Sequence, residues 1–541
     1  MSVAFACIVQ RLLLLHFACL GFVLRCHFLL HWAKSVCGSS SCSSKTTRPS
    51  KALRNTSIHE MEKADQYEVD SEPRNVDIVS DEHAVAKHSP MDWPWIRKHV
   101  ILAQCALHAA GPGFTSAILI PAIGSLAEQF GVTAQKASYL VAVHVLFLGV
   151  APFLWNPLMS AYGRRPILIA TMFLSCVAAL GGGFAHSYGT LMTARVFQSI
   201  GISSGFVVPG AVVVDIFTKE ERGRKNGIWT QMVSLGAPLG GIIGGPVVYY
   251  IGWRWVMWLI AICNGIQTIA YILTCPETSH VHRQQAQLGA FHSSELVRPP
   301  KKISGRLGLR MFIEPILLLQ SPHVTLVAFA YGVTFAITSP GISVIVPLAT
   351  EEFYNFGAVA QGLFFIGPLV GILIGELLAG NASDWLMNRE RRRAAEAGQS
   401  PNLERRLLAG LPGYFMAPLG VIIFGVTLQS HCPWIAPCIG FALSNFGLQM
   451  VTTPLKTYCM DCHASHTGSV LQLVNATRQI ISFTIPFWSP NLGDKVGFGL
   501  GFGIEAIIMA FFYVCSLLVF WKGKDWRQSV QVKGLVDVDR S

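Results

Sequence analysis

Apolar stretches of about twenty residues recur through most of this 541-residue chain and are separated by short polar breaks. A helix needs about 20 apolar residues to cross the hydrocarbon core of a bilayer. We count twelve such stretches, at 99–122, 137–158, 166–186, 189–214, 226–250, 252–274, 323–347, 357–380, 407–428, 433–456, 468–490 and 499–521. Because a chain of this kind can satisfy its backbone hydrogen bonds in lipid as helices, the pattern predicts an all-α integral membrane protein with twelve transmembrane helices.

The composition excludes a soluble multidomain protein. Charged residues make up 13% of the chain and apolar residues 52%, whereas soluble domains are about 25% charged. The net charge is +11, but the cations lie between apolar stretches, which argues against nucleic acid as a partner. The sequence GxxxxGK[ST] of a phosphate-binding loop does not occur, so we expect no ATP hydrolysis.

The 14 cysteines lie mostly inside or beside apolar stretches, as Cys105 and Cys515 do. We interpret them as small core residues. We therefore expect neither a metal site nor a cofactor.

The distribution of Lys and Arg predicts the orientation in the membrane. Loops that follow even-numbered stretches are rich in both residues. The breaks after odd-numbered stretches, counted together with the first residues of the next stretch, hold three, Lys136, Arg254 and Lys495. Basic loops stay in the cytosol, so we expect both termini there. The expected segments are a six-helix bundle at 99–275, a cytosolic linker at 276–322, a second six-helix bundle at 323–521 and a cytosolic tail at 522–541.

The first 98 residues do not follow this pattern. Residues 33–91 are polar and rich in serine, which is typical of disorder. A cleaved signal peptide is not favoured, because it would leave the segment after it outside the cell, against the charge distribution. We interpret 1–98 as a mostly disordered cytosolic tail. Its apolar segment, 1–31, is either the product of a start codon assigned too far upstream or an anchor or targeting segment.

Ionisable residues inside the apolar stretches are candidates for a substrate or proton pathway. An arginine at the centre of a membrane helix costs at least about 2.5–3.5 kcal/mol, so such residues mark functional sites. The candidates are His108, His144, Arg195, Glu376, Arg478 and Glu505. Each has a structural alternative: a packed, hydrogen-bonded histidine, a glutamate that anchors a helix end at the interface, or an arginine that reaches the headgroups.

Two of these candidates are cations of particular interest. Arg195 lies in a polar segment of the fourth stretch that also contains Gln198, and Arg478 lies near the middle of the eleventh. With two central cations and no central carboxylate, a cavity beside them should favour neutral or acidic amphipathic molecules over multiply cationic ones.

Two further motifs contain glycine at positions where the backbone must turn or pack closely. Gly163, Arg164 and Arg165 form a turn after the second stretch. The fifth stretch carries Gly236, Gly240 and Gly244 at spacings that line one helix face, together with Pro238 and Gly245. A face of small residues allows close helix packing, and the prolines favour bending. A glycine-rich nucleotide loop is excluded here because no strand precedes the motif.

Together these motifs resemble the fungal drug:proton antiporter branch of the major facilitator superfamily, over residues 90–525. The turn at 163–165 resembles its loop after helix 2, 195–201 its helix 4 motif, and 236–245 its antiporter motif in helix 5. Weaker matches lie at 92–94, 252–255, 276–278, 403–407 and 458–461. The resemblance implies two pseudo-symmetric six-helix bundles with a substrate site between them.

The chain departs from the family pattern at the cytosolic end. Ser160 stands where the family pattern has an acid that braces the two halves, and Asn156 replaces the first glycine of that loop. Gly241 stands where the antiporter motif usually has proline. The resemblance then implies a conformational motif made of Gly163 and five charged residues, Arg164, Arg165, Asp215, Asp384 and Asp461.

The resemblance implies proton-coupled export of small amphipathic compounds, such as drugs or secondary metabolites. Proton-symport uptake of a nutrient and a non-transporting nutrient receptor are alternatives on the same fold. An enzyme is not expected, because no loop holds a Ser/His/Asp, metal-binding or paired-carboxylate cluster. The expected partners are a small-molecule substrate, protons and the lipid bilayer, without nucleic acid or ATP. We expect a monomer in the plasma membrane, with a vacuolar or other internal membrane as the alternative.

A single engineered cysteine at Arg392, in an otherwise cysteine-free background, tests the orientation. We expect no reaction with an impermeant thiol reagent added to intact cells, because the basic segment 381–406 should face the cytosol. Permeabilised cells serve as the positive control. Labelling from outside intact cells would reverse the assigned orientation.

Overall fold

The computed structural model describes residues 90–279, 309–399, 401–463 and 467–532. Within these ranges the backbone forms helices and turns and no strand, which confirms the all-α fold class. Twelve long helices, named α1 to α12 in chain order, run over Trp95–Phe130, Ala134–Tyr162, Arg164–Gly183, Tyr188–Ile216, Lys219–Ile251, Trp253–Thr274, Pro322–Tyr354, Ala358–Glu396, Leu403–Gln429, Ile435–Cys462, Thr467–Val496 and Phe498–Val532. The predicted tail up to residue 89 and most of the predicted linker lie outside the described residues. A short helix, Leu309–Leu317, lies in the described end of that linker.

Eleven of the helices in the described ranges are both long and apolar enough to cross a membrane. The remaining helix, α11, corresponds to the predicted stretch 468–490 and is 30 residues long. It is more polar because Gln472, Arg478 and Gln479 lie on it, and all three side chains are buried within the protein. Polar groups that face the interior of a bundle do not have to enter lipid, so α11 can still span the membrane.

Two helices extend well beyond their predicted stretches. The segment from 381 was predicted as a basic loop, but α8 continues as a helix to Glu396. Arginine and alanine are strong helix formers, and the Arg389 guanidinium also lies 5.4 Å from the centre of the Trp385 ring. Likewise, α12 continues from the predicted end at 521 to Val532. The apolar pattern therefore marks the membrane-crossing part of each helix and not its end.

Several spanning helices are interrupted near mid-length. A π-helical turn, Ile337–Gly341, interrupts α7 and contains Pro340. A 3₁₀ turn, Ser203–Phe206, similarly interrupts α4. Irregular backbone at membrane depth is tolerated where it is buried or lines a cavity, and Phe206 and Pro340 both line the central cavity described below.

The helix pairs repeat between the two halves. The pairs α1–α5, α3–α6, α3–α4 and α2–α4 of the first half have counterparts in α7–α11, α9–α12, α9–α10 and α8–α10 of the second. The halves meet along α2 and α11 and along α5 and α8, and these two interfaces are themselves equivalent under the repeat. This is the arrangement of two pseudo-symmetric six-helix bundles.

Close packing of α5 depends on its glycines. Gly236, Gly240 and Gly244 lie along one face, where a Cβ on any of them would overlap a carbonyl oxygen of α1. Gly241 and Gly245 lie on another face, directed at α8 of the second half. One helix therefore approaches two neighbours at backbone distance, as small residues allow.

Replacement of Gly240 by alanine tests this packing. We expect Gly240→Ala to destabilise the protein by about 1–3 kcal/mol, because the added Cβ collides with the backbone of α1 and not with a movable side chain. Gly227→Ala on the same helix is the matched control, since nothing lies within 4 Å of a Cβ there. Thermal unfolding in detergent measures both variants, and equal stability of the two would contradict the packing argument.

Candidate functional site

A cavity lies between the two halves. Helices α1, α2, α4 and α5 line one side and α7, α8, α10 and α11 the other. Its empty space is about 810 Å³, including the part that is open to solvent, within the range of small-molecule sites. Most of the wall is apolar, with aliphatic side chains from both halves and the rings of Phe206 and Phe335. The polar part of the wall includes Ser234, Asn445, Gln449, Thr452, Arg478 and Gln479.

Arg478 is the candidate that the structure places in the cavity wall. Its Nη1 donates to the Tyr331 hydroxyl at 2.8 Å and its Nε donates to Asn475 Oδ1 at 3.0 Å. The guanidinium carbon lies 4.6 Å from the ring centre of Phe335 and 5.0 Å from that of Phe206. Since Phe206 belongs to α4, this cation of the second half contacts the first half directly.

Tyr331 and Lys456 are site residues that sequence reasoning missed. The Lys456 ammonium lies 5.1 Å from the centre of the Tyr331 ring, on the far side of the cavity wall. Lys456 stood at the last position of the predicted stretch 433–456, where it would be an interfacial residue. Because α10 continues to Cys462, the lysine is half-buried beside Tyr331. Tyr331 was missed because a tyrosine in an apolar stretch carries no charge that would mark it as a functional residue.

Glu376 is tied to the opposite half through Gln449. Gln449 Nε2 donates to Glu376 Oε2 at 2.5 Å and to Ser234 Oγ at 2.9 Å. Thr453 also donates to the same carboxylate, at 3.4 Å. Ser234 lies on α5, so a single amide links a carboxylate of α8 to the first half. The sequence left interfacial anchoring open for Glu376, but the side chain points toward α10 and its polar groups.

Arg195 lies outside the cavity wall. Its side chain is fully buried, so it does not reach the headgroups. Its Nη1 donates to Gln198 Oε1 at 2.8 Å, while its Nε and Nη2 have no hydrogen-bond partner among the described residues. The Arg195 carbonyl accepts from Ser199, whose hydroxyl is also 2.5 Å from His144 Nδ1. His144 in turn lies 3.1 Å from Thr115 Oγ1 of α1.

His108 and Glu505 have well-defined packing contacts away from the cavity. His108 lies 3.2 Å from the Tyr271 hydroxyl and 3.1 Å from Ser204 Oγ, each distance to a different ring nitrogen. Glu505 accepts from Ser489 Oγ at 2.6 Å between α12 and α11. Neither residue lines the cavity.

The glycine turn after α2 is a helix cap. Gly163 has φ +96°, a backbone conformation that favours glycine, and a Cβ there would overlap the Glu277 carboxylate. Glu277 accepts from the backbone N–H groups of Arg164 at 3.0 Å and Arg165 at 3.2 Å. A carboxylate at a helix N-terminus is stabilised by the helix dipole. Glu277 therefore joins the segment after α6 to the start of α3.

Equivalent ion pairs occupy the two halves at the basic end, which is the end where α2, α4, α6, α8 and α10 finish. Arg164 Nε lies 3.1 Å from Asp215 Oδ2, between α3 and α4. Arg406 Nη2 lies 3.2 Å from Asp461 Oδ2, between α9 and α10. Asp384 is exposed on α8 and has no hydrogen bond or ion pair with another described residue. The Arg164 and Arg406 pairs thus stabilise each half separately.

At the opposite end the two halves are closely packed. The Phe365 ring of α8 lies against Gly241 of α5, and Gly245 lies against Gly362. On the other side of the cavity, the rings of Tyr139 and Phe487 contact each other at a tilt of 30° with centres 4.5 Å apart, joining α2 to α11. The cavity is therefore closed off by interhelical packing at this end.

Comparison with known proteins decides the family. A sequence model of the Major Facilitator Superfamily matches residues 109–486. The chain belongs to the major facilitator superfamily. This confirms the resemblance drawn from the glycine and arginine motifs, and the superfamily consists of membrane transporters and not of enzymes.

Several fungal relatives of this superfamily transporter match it over most of their length. A probable efflux pump, mfs2, from Aspergillus flavus is 27% identical, over 75% of this chain and 97% of its own. The MFS transporter cpaT of Aspergillus oryzae is 28% identical, over 77% of this chain and 84% of its own. The efflux pump radE of Floropilus chiversii is 24% identical, over 84% of this chain and 86% of its own.

A solved structure has the same fold. The human organic anion transporter MFSD10 covers 78% of this chain and 100% of its own, with a TM-score of 0.53 and 16% identity. At this identity the likeness concerns the fold alone.

Substitutions of Arg195 test whether a cation outside the cavity wall serves transport. We expect Arg195→Ala to abolish proton-coupled transport but to leave substrate affinity within about twofold of wild type, because Arg195 does not line the cavity. Arg195→Lys keeps the charge without the forked donor geometry and should retain part of the activity. Arg478→Ala should instead change substrate preference. Transport by Arg195→Ala at the wild-type rate, at normal surface level, would exclude the role.

Proposed function

We propose that this superfamily member exports small amphipathic compounds, such as drugs or secondary metabolites, by proton-coupled alternating access. The observation that carries the proposal is the cavity lined by both halves and closed at the end opposite the basic loops. If the basic end faces the cytosol, this conformation is the one in which an exporter takes up its substrate. The names of several fungal relatives, efflux pumps among them, support export.

In the proposed cycle the two halves rock about the bound substrate. The α5–α8 and α2–α11 contacts at the closed end separate, and the basic ends of the halves approach each other. The pairs Arg164–Asp215 and Arg406–Asp461 keep each half rigid during this movement. Asp384, exposed in this conformation, is the acid that we expect to meet the opposite half when the basic ends close, since Ser160 cannot supply a charge.

We assign proton coupling to the network around Arg195 and Gln198. Its titratable member is His144, which lies between Thr115 and Ser199 and so joins α1, α2 and α4. Its two ring nitrogens face hydroxyl groups, which can donate to the neutral imidazole or accept from the protonated one. Ser199 links Arg195 to His144, and the arginine lies close enough to act on the histidine electrostatically. A change of charge at His144 can therefore shift helices of the first half against one another.

The protein is a multi-pass membrane protein. We propose a monomer in the plasma membrane, with a vacuolar or another internal membrane as the alternative. Its partners are a small-molecule substrate and protons, without ATP.

Purified protein in liposomes with an imposed pH gradient tests the function. A proton-coupled exporter should move substrate toward the acidic compartment while protons leave it. An uptake symporter should move substrate and protons together, and a receptor should bind without flux. A panel of amphipathic metabolites is assayed for flux, and an ionophore that collapses the gradient is the control. Flux that is unchanged without the gradient would contradict proton coupling.

A further inference from the structure

Arg478 is the one charged side chain among the described residues that line the cavity. It is 6% exposed. Both of its hydrogen bonds go to neutral oxygen atoms, the amide of Asn475 and the hydroxyl of Tyr331. No carboxylate lies within ion-pair distance of it in the described part of the chain. A buried cation without a counter-charge is unfavourable, so the site is electrostatically incomplete without an anion.

The arginine is held in place by both halves. Asn475, which accepts from Arg478 Nε, also donates to the carbonyl of Leu148 on α2 at 3.3 Å. Within its own half, α7 packs closely against the backbone at this residue, since a Cβ on Gly332 would lie 3.3 Å from Arg478 Cα. Contacts across the interface between the halves thus orient the guanidinium. An anion bound to it would lie at the interface that opens and closes in the proposed cycle.

A second cation raises the potential at this point. Lys456 lies behind Tyr331, within electrostatic reach of Arg478 and of Glu376. Glu376 opposes one of the two positive charges, which leaves an excess of one. This balance favours a substrate with a single negative charge over a neutral, cationic or doubly charged one.

The surroundings of the guanidinium are aromatic and aliphatic. Phe206 and Phe335 contact Arg478 through their rings, and Leu148, Ile372 and Leu448 continue the apolar wall. Flat apolar groups stack well against phenylalanine, and a guanidinium edge binds a carboxylate through two parallel hydrogen bonds.

We infer that the cavity binds aromatic monocarboxylates, with the carboxylate on Arg478 and the ring system packed against the apolar wall beside Phe206 and Phe335. The inference rests on the proposed function, of which it names the substrate class. Lys456 acts through the electrostatic potential and does not line the cavity. Glu376 offsets one of the two positive charges of Arg478 and Lys456, so the site has room for one negative charge from the substrate.

Calorimetric titration of the purified full-length protein, in detergent and without a gradient, tests the inference independently of transport. The probes are naphthoate, an aromatic monocarboxylate, naphthamide, its neutral isostere, and naphthylmethylammonium, a cation. We expect naphthoate to bind about tenfold more tightly than naphthamide, and the cation more weakly than both. Equal affinity for acid and amide, or no binding of naphthoate, would overturn the inference.

Variants locate the effect. Arg478→Gln should weaken naphthoate about tenfold and leave naphthamide within twofold, which also shows that the variant is folded. Lys456→Met should weaken naphthoate by a few-fold, and Glu376→Gln should strengthen it, because the opposing carboxylate is gone. Arg254→Gln is the matched control, because it removes an equal charge far from the cavity, at the end of the first half opposite the basic loops. It should change the affinity for neither probe. An equal loss of both probes in Arg478→Gln would make Arg478 a structural residue and refute the site.

The two hypotheses fail separately. Selective naphthoate binding without export in liposomes would leave the site standing and reject the proposed function. Export of neutral compounds without preference for naphthoate would keep the function and reject the substrate class.

Discussion

Hydrocarbon offers no partner for a polar group, and the arrangement of this protein follows from that constraint. Polar side chains on spanning helices must meet one another inside the bundle or line a cavity. The helix α11 shows this most clearly, since its polar residues are buried although the helix as a whole is less apolar than the others. Arg478 and Gln479 of α11 line the cavity between the halves, whereas Arg195, His108 and Glu505 are buried away from it.

Close backbone contact is the second requirement, and it is met by small residues at the interface between the halves. The α5 glycines pack against α1 within one half and against α8 in the other. Lipid provides no hydrophobic drive for helix association, so packing of this kind supplies much of the attraction. The same contacts can separate without exposing charges, which suits an interface that opens and closes.

The two buried arginines have different surroundings. Arg478 lines the cavity, touches aromatic rings and is oriented by neutral oxygens. Arg195 is enclosed within the first half and is linked through Ser199 to His144. In the proposed mechanism, substrate recognition at Arg478 and proton coupling near Arg195 would therefore not compete for the same contacts.

The sequence by itself determined the all-α fold, the twelve spans, the family and the presence of two rare intramembrane arginines, because length, apolarity and motif spacing are local properties of the chain. It also marked Gly163 and the α5 glycines as positions of special geometry. Only the tertiary structure decided that Arg478 lines the cavity while Arg195 does not, since the side toward which a residue points depends on how its helix is rotated against its neighbours. The roles of Glu277, Tyr331 and Lys456 likewise required the fold, because each acts through partners far away in sequence. The end of α10 is the simplest case: the apolar pattern placed Lys456 at the membrane surface, whereas the continuation of the helix buries it beside Tyr331.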